Sequence, residues 1–544
     1  MVAELKQRPA QDAQVNLNES WDVIVIGGGM GGGAAAHALS QAGHRVVLLE
    51  KGLSAYAASS AEDIAKEPTD PAQRLQLGRW PTRLSAVVDG QAADLWAPLG
   101  CGLGGSSTLY AATLERLDRS DFEPRQTLGG EVVQWPFSYR DLEPYYQRAE
   151  ALFAVRGTPD PLDAGSTYAL REPVAMNECD AHFFEAMQGA KLNPYRLHVA
   201  IDYVDDCREC GGFYCAKECK KDARNSCILP ARERHGLKVI DQAEVKELVT
   251  QGSIISGVAF VRDGERHVIK ARCVVLAAGA YFSPVLLLRS KSEQWPDGIG
   301  NRHGLVGRNL MFHASDFFAV WPQGRFARSG AGRAIGLRDL YRQGDQPLGQ
   351  LQSTGLTAGY GNILYALYLR FDGGPLRKLR VLRPFLRIPA KIASWLLKDA
   401  TVFANILEDH AYPDNRVVLD DRTDSGMRFE YQIRDELLSR VKTYRKALKR
   451  SLKGFRMMTL SSGVSLNYGH PCGTCRSGTD PAHSVVDAQC RVHGTDNLYI
   501  VDASVFPTSG GVNPSLTIAA NALRVAEAIN ATLRDELRPK AISA

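Results

Sequence analysis

The chain has 544 residues, 44% of them hydrophobic and 23% charged, ordinary globular usage with material for two domains or one large composite. Its 65 basic and 60 acidic residues leave a net charge of +5, too balanced for a nucleic-acid binder. No uninterrupted apolar run reaches the roughly 18 residues a spanning helix needs, and the start, MVAELKQRPAQDAQVNLNESW, lacks the apolar centre of a signal peptide. The expected compartment is therefore the cytoplasm, where thiols stay reduced, with export on a partner subunit left open.

After a polar lead-in (1–17), WDVIVIGGGMGGGAAAHALSQAGHRVVLLEKG predicts strand, glycine turn, helix and second strand. The run Val23–Ile26 suits a strand buried on both faces. Gly27, Gly29 and Gly32 have the G-x-G-x-x-G spacing, and Glu50 closes the second strand 18 residues beyond Gly32. Gly27 permits the tight turn, Gly29 lets backbone approach a pyrophosphate, Gly32 allows close helix–strand packing, and Glu50 can accept hydrogen bonds from a ribose. This is a dinucleotide site.

Next comes DCRECGGFYCAKECKKDARNSC (206–227), with five of the eleven cysteines: Cys207, Cys210, Cys215, Cys219 and Cys227. The spacing C-x2-C-x4-C-x3-C admits an iron–sulfur site with Cys207, Cys210, Cys215 and Cys219 as ligands. Zinc fits less well, because only one C-x2-C pair is present. An odd cysteine count argues against a complete disulfide framework. Lys217, Lys220 and Lys221 make the stretch positive, which lowers thiol pKa values. The reading taken is a metal-free, reduced loop (207–227) that buttresses the cofactor domain, with the cluster as alternative.

CVVLAAGA (273–280) predicts another strand running into a small-residue turn. GPLRKLRVLRPFLRIPAKIASWLLKD (374–399) is basic and apolar together, with Pro384 and Pro389 interrupting any long helix. It reads as a cap element with a solvated basic face, in preference to an amphipathic lid touching a membrane. NLYIVDASVFPTSGGVNPSLTIAANALRVAEAI (497–529) predicts strand, acid, proline loop and small-residue helix. Nucleotide-binding signals thus lie at both ends and in the middle, so the cofactor domain is discontinuous.

These blocks, with GCGLGGSSTLY (100–110), WPFSYRDLEPYYQRAE (135–150), VGRNLMFH (306–313), DNRVVLD (414–420) and GHPCGTCRSG (469–478), resemble the glucose–methanol–choline (GMC) oxidoreductases. The closing motif looks most like the cholesterol-oxidase branch. The resemblance implies FAD, alcohol oxidation, and a discontinuous α/β Rossmann-like domain (18–120, 228–315 and 465–536). A substrate domain built on an antiparallel sheet would occupy 121–206 and 316–464. Gly27, Gly29, Gly32 and Glu50 would hold the ADP half. Gly104, Gly105, Ser106 and Ser107 would lie against the flavin and pyrophosphate, and Asp502 near the ribityl–phosphate.

His470 and Asn513 match the family's catalytic pair: His470 as general base, Asn513 orienting the hydroxyl for hydride transfer to flavin N5. Leu109 stands where some members carry a flavin-linked histidine, so non-covalent FAD is expected. Tyr110 replaces a usual asparagine. His313, His410, His483 and His493 are assigned core or solvated roles, and Glu408 either a secondary acid–base role or a surface salt bridge. Some family dehydrogenases carry a three-iron cluster in a similarly placed loop, so a dehydrogenase relaying electrons to a cytochrome or quinone is one alternative. Lyase or decarboxylase chemistry on the same fold is another. The expected partners are a small-molecule alcohol and either O2 or a redox partner, with peripheral membrane contact through 374–399 as the lesser alternative.

Overall fold

The computed structural model describes residues 17, 19–57, 68–126, 132–357, 360, 363–364, 367–368, 371, 379–461 and 463–537. The lead-in 1–16 and residues 374–378 of the basic apolar segment lie outside the described residues. The fold is an α/β FAD-binding domain carrying a large antiparallel-sheet substrate domain.

The first domain is built on a parallel sheet. Strand Ser20–Ile26 lies between Val46–Leu49 and the end of Glu265–Leu276, with Lys238–Ile240 and Leu498–Ile500 at the two flanks. Val46–Leu49 is buried at every position, as expected of a strand covered on both faces. The strand Glu265–Leu276 joins the parallel part of this seven-stranded sheet to an antiparallel part: its first half pairs with Ile254–Arg262, which pairs in turn with Glu244–Gln251. Helices Met30–Gln41 and Ser515–Leu537 pack together on one face, and Tyr139–Leu152 packs on the latter. A Ser138–Asp141 capping box starts Tyr139–Leu152, each side chain bonding the other's backbone N–H.

In the block 273–280 the strand ends at Leu276, the small residues that follow turn the chain, and a helix, Gly279–Arg289, begins there. Gly279 has φ +82°, and its N–H donates to Asp502 (2.9 Å), so the acid at the far end of the chain fixes where this helix starts.

The second domain's sheet has six antiparallel strands, in the order Arg456–Thr459, Phe317–Trp321, Thr401–Leu407, Gly349–Thr357, Ile335–Leu337 and Tyr195–Arg196. Phe318, Leu351 and Phe403 point to one face, where Phe183 and Met187 of helix Glu178–Gly189 and Leu437, Val441 and Tyr444 of helix Asp435–Ser451 cover them. Among the described residues, no helix is long and apolar enough to cross a membrane.

Candidate functional site

The glycine turn is shaped by collisions that only glycine avoids. Gly27 has φ +99°, and a Cβ there would sit 2.5 Å from the Ala277 carbonyl oxygen. A Cβ on Gly31 would collide with the Val501 carbonyl oxygen, so the second half of the glycine run lets helix Met30–Gln41 lie directly on strand Leu498–Ile500 and its continuation. Gly32 packs as the spacing argument expected, a Cβ there colliding with the Gly27 carbonyl oxygen at the end of the first strand; the spacing passed over Gly31.

Gly29 has open space on its Cβ side. It begins a helix with no side-chain cap and no acid in its first turn, so the first N–H groups keep their need for an anion. Those two observations fit a dinucleotide pyrophosphate. Glu50, nearly buried, takes Gly28 N–H (2.8 Å) on one oxygen, and Gly52 (2.8 Å) and Gly102 (3.1 Å) on the other. A carboxylate has about four acceptor sites, which leaves room for one further donor such as a ribose hydroxyl.

The segment Gly104–Ser107 lies on this turn. Gly104 N–H donates to Gly28 O (2.8 Å), and Gly105 approaches the Gly29 Cα. Ser106 Oγ accepts from Gly100 N–H (3.0 Å), while Ser107 Oγ accepts from Ala223 N–H (3.0 Å). Asp502 is buried; it accepts from Gly279 N–H, Ser504 N–H and the Ser283 hydroxyl, and burial pushes its carboxyl pKa up.

Three separated segments meet at His470. His470 Nδ1 lies 3.2 Å from His313 Nδ1, the rings edge to face at 89°. His313 is buried, with Nε2 3.2 Å from Ser509 O and 3.1 Å from Gly510 O. Burial holds the His313 pKa down to about 4. Burial, with His313 beside it, holds that of His470 down to about 3, although part of the His470 surface stays open. Both rings are therefore neutral at neutral pH.

Carbonyls only accept, so His313 Nε2 carries its proton and Nδ1 its lone pair. His470 must then donate from Nδ1, which leaves Nε2 as a free base. The same loop that orients His313 carries Asn513, whose buried Oδ1 has no protein partner. His313, assigned a core role from sequence, is buried as expected, yet it orients the candidate base. The signal that could have found it is the glycine–asparagine motif VGRNLMFH, which ends on it.

Glu408 is not a surface salt bridge; it lines a small cavity together with Arg125, His410 and Thr508. It is 2% exposed and accepts both contacts (2.7 Å each) from Arg125 Nη1. Arg125 also holds Asp121 (2.7 Å), whose pKa burial pushes up to about 6 despite that guanidinium.

All eleven cysteines are free thiols. Cys215 and Cys219 sulfurs lie 3.4 Å apart, and hydrogen bonding with Cys210 and Cys219 pulls the Cys215 pKa down while theirs rise. Among the described residues no cluster of three or more His, Cys, Asp or Glu side chains is arranged to hold a metal. Lys220 does not give the loop a solvated charge. It is buried, donating to the carbonyls of Thr108 (2.9 Å), Tyr110 (3.1 Å), Cys210 (2.6 Å) and Phe213 (2.9 Å). The Tyr110 hydroxyl donates to Lys221 O (2.5 Å), and Gly212 N–H to Leu109 O (2.7 Å). The cysteine loop and the loop ending at Tyr110 are thus stitched together by the Lys220 and Tyr110 side chains on backbone carbonyls and by one backbone–backbone bond.

Two sequence models described as GMC oxidoreductase match the chain, one over residues 22–315 and one over 413–522. The 6'''-hydroxyparomomycin C oxidase of Streptomyces lividus is 29% identical over 94% of this chain and 91% of its own length. The paromamine 6'-oxidase of Streptomyces fradiae is also 29% identical over the same shares. The 2-methyl-1,2-propanediol dehydrogenase of Mycolicibacterium austroafricanum is 26% identical over 94% of this chain and 96% of its own. In fold, pyridoxine 4-oxidase from Mesorbium loti superposes with a TM-score of 0.58 at 20% identity, covering 94% of this chain and 99% of that one. A variant of Aspergillus oryzae formate oxidase superposes with a TM-score of 0.64 at 16% identity, covering 96% and 100%.

Proposed function

The chain belongs to the GMC oxidoreductase family of FAD-binding flavoproteins, and from that premise we propose that it oxidises the CH–OH group of a small-molecule alcohol to a carbonyl. The observation that carries this reading is the His313–His470 contact, which leaves a neutral imidazole with its Nε2 lone pair free. Relatives named for oxidising paromamine and for dehydrogenating 2-methyl-1,2-propanediol support an alcohol substrate. The likeness of the closing motif to the cholesterol-oxidase branch supports the pairing of His470 with Asn513.

Gly27, Gly29, Gly32 and the uncapped helix behind them would hold the pyrophosphate, Glu50 the ribose, and Gly104–Ser107 and Asp502 the remainder. Bound there, FAD supplies the two-electron acceptor. His470 Nε2 takes the hydroxyl proton as the carbon is oxidised, and its low pKa keeps it unprotonated beforehand. Asn513 donates an amide hydrogen to the same oxygen and fixes the carbon's position. Leu109 offers no nucleophile for a covalent link, so the cofactor is dissociable.

The test is anaerobic bleaching of the flavin, in the dark, by a panel of primary and secondary alcohols, followed by admission of air. Bleaching identifies the substrate class, and rapid recolouring in air marks an oxidase. A flavin that no alcohol bleaches overturns the reading. Iron and acid-labile sulfide assays on anaerobically purified protein test the thiol loop separately. Two or more irons per FAD would make Cys207, Cys210, Cys215 and Cys219 a cluster site and the enzyme an electron-relaying dehydrogenase.

A further inference from the structure

The segment 374–399 was expected to be a cap element with a solvated basic face; its described part, 379–399, exposes Arg387, Lys391 and Lys398 but exposes bulky apolar residues as well. A 3-10 turn, Arg380–Leu386, leads into helix Arg387–Leu396, with Pro389 accommodated in its first turn. The helix packs inward through small or few side chains. Ala390 lies with Leu364 and Tyr368, and Leu397 with Ala319 and Val402 on the substrate-domain sheet. Its bulky residues face out: Ile388, Ile392, Trp395 and Leu396 fall at i, i+4, i+7 and i+8, one continuous stripe. Trp395 is 75% exposed, and Phe385 and Val381 in the preceding turn are 61% and 81% exposed. Isolated exposed apolar residues need no explanation, but a patch of this extent does.

Charge says what covers it. At about 100° per residue, Arg387 and Lys391 fall together along one border of the stripe, and both are exposed, as is Lys398 in the turn after the helix. Asp399 is the only acid between residues 379 and 399. An apolar stripe with a tryptophan and a phenylalanine, bordered by cations on a short helix, is the chemistry of a helix lying in the headgroup layer. Aromatics alone would suit a protein interface as well; the cations decide, because an anionic bilayer satisfies both halves, apolar contact for the stripe and phosphates for the border.

We propose that residues 379–398 form a docking surface for an anionic membrane, on which the protein sits without crossing it. The surface lies over the sheet face that carries Ala319 and Val402, so docking turns the substrate domain toward the bilayer.

The test is co-sedimentation of the full-length, FAD-loaded protein with phosphatidylglycerol–phosphatidylcholine vesicles and with phosphatidylcholine alone. The expected result is at least ~10-fold stronger binding to the anionic vesicles, weakened by salt, since screening reduces the attraction between the cations and the anionic surface. Trp395→Ser with Ile392→Ser should lose at least ~10-fold of that binding, and Arg387→Gln with Lys391→Gln should erase the preference for anionic lipid. FAD content in both variants reports that the fold is intact. Absence of anionic-vesicle binding, or equal binding by folded variants, overturns the proposal. So does a concentration-dependent dimer, abolished by Trp395→Ser, in protein that leaves vesicles unbound; that result would assign the stripe to a second copy of the chain.

Discussion

The glycine turn and the histidine corner sit in one molecule and are specified in different ways. Every determinant of the turn except its backbone neighbours lies within residues 20–50, and its geometry follows from where a Cβ cannot go. The corner draws on residue 313, residue 470 and the carbonyls of residues 509 and 510, and it follows from which nitrogen must carry a proton. Steric exclusion is local and absolute, whereas hydrogen-bond logic is distributed and graded. Substitutions in the turn should therefore abolish function together with structure. Substitutions in the corner should separate rate from binding.

The largest expected effect is in the turn. Gly31→Val forces a side chain onto the Val501 carbonyl, which belongs to backbone and cannot yield. The expected outcome is loss of soluble, FAD-loaded protein, read as the flavin absorbance of the purified fraction. A yellow, folded Gly31→Val protein would mean that the helix can slide on the strand, and the contrast drawn above would fail.

His470→Ala comes next. Removing a general base costs at least ~10²-fold, so anaerobic flavin reduction should slow by that factor while FAD content is retained. Asn513→Ala should lose somewhat less, since Asn513 orients the hydroxyl and does not take its proton. Stopped-flow traces at the parent rate for both would remove this pair from the mechanism.

Much of this was legible in the sequence because it is written in short-range terms. The strand–turn–helix at Ser20–Gln41 needed only apolar runs and glycine spacing, and the resemblance located His470 and Asn513 through neighbouring motifs. What escaped depended on contacts across the chain. Lys220 reads as a surface charge until four carbonyls, two of them from residues 108 and 110, surround it. Glu408 reads as a rim acid until Arg125, 283 residues away, closes on it. For the helix Arg387–Leu396 the solvated cations were legible, but the exposure of Ile388, Ile392 and Trp395 was not, because composition does not say which way an apolar residue faces.

The smallest effect, and the finest test of the corner, is His313→Leu. Leucine removes the acceptor for His470 Nδ1–H without touching the alcohol, so the plateau rate should fall only about 10-fold, at the low end of losses from misorientation. The acid limb of the rate profile should move as well. In the parent, a base held down to about 3 stays active well below pH 5. In the variant the imidazole at 313 no longer opposes protonation, so the limb shifts upward, though not to the ordinary 6.5, because burial is the larger cause. His313→Asn keeps an acceptor near the former Nδ1 and should restore part of the rate. Stability gives an independent reading with a definite sign. His313 has a folded pKa of about 4 against 6.5 unfolded, so between those values the unfolded chain binds a proton that the folded one refuses. Its contribution is intact above pH 6.5 and declines by up to ~1.4 kcal/mol per pH unit toward pH 4. His313→Leu deletes that share, so Tm plotted against pH should fall less steeply on acidification than in the parent. A variant with the parent's slope and an unmoved acid limb would show that His313 is packing alone and that the tautomer of His470 is set elsewhere.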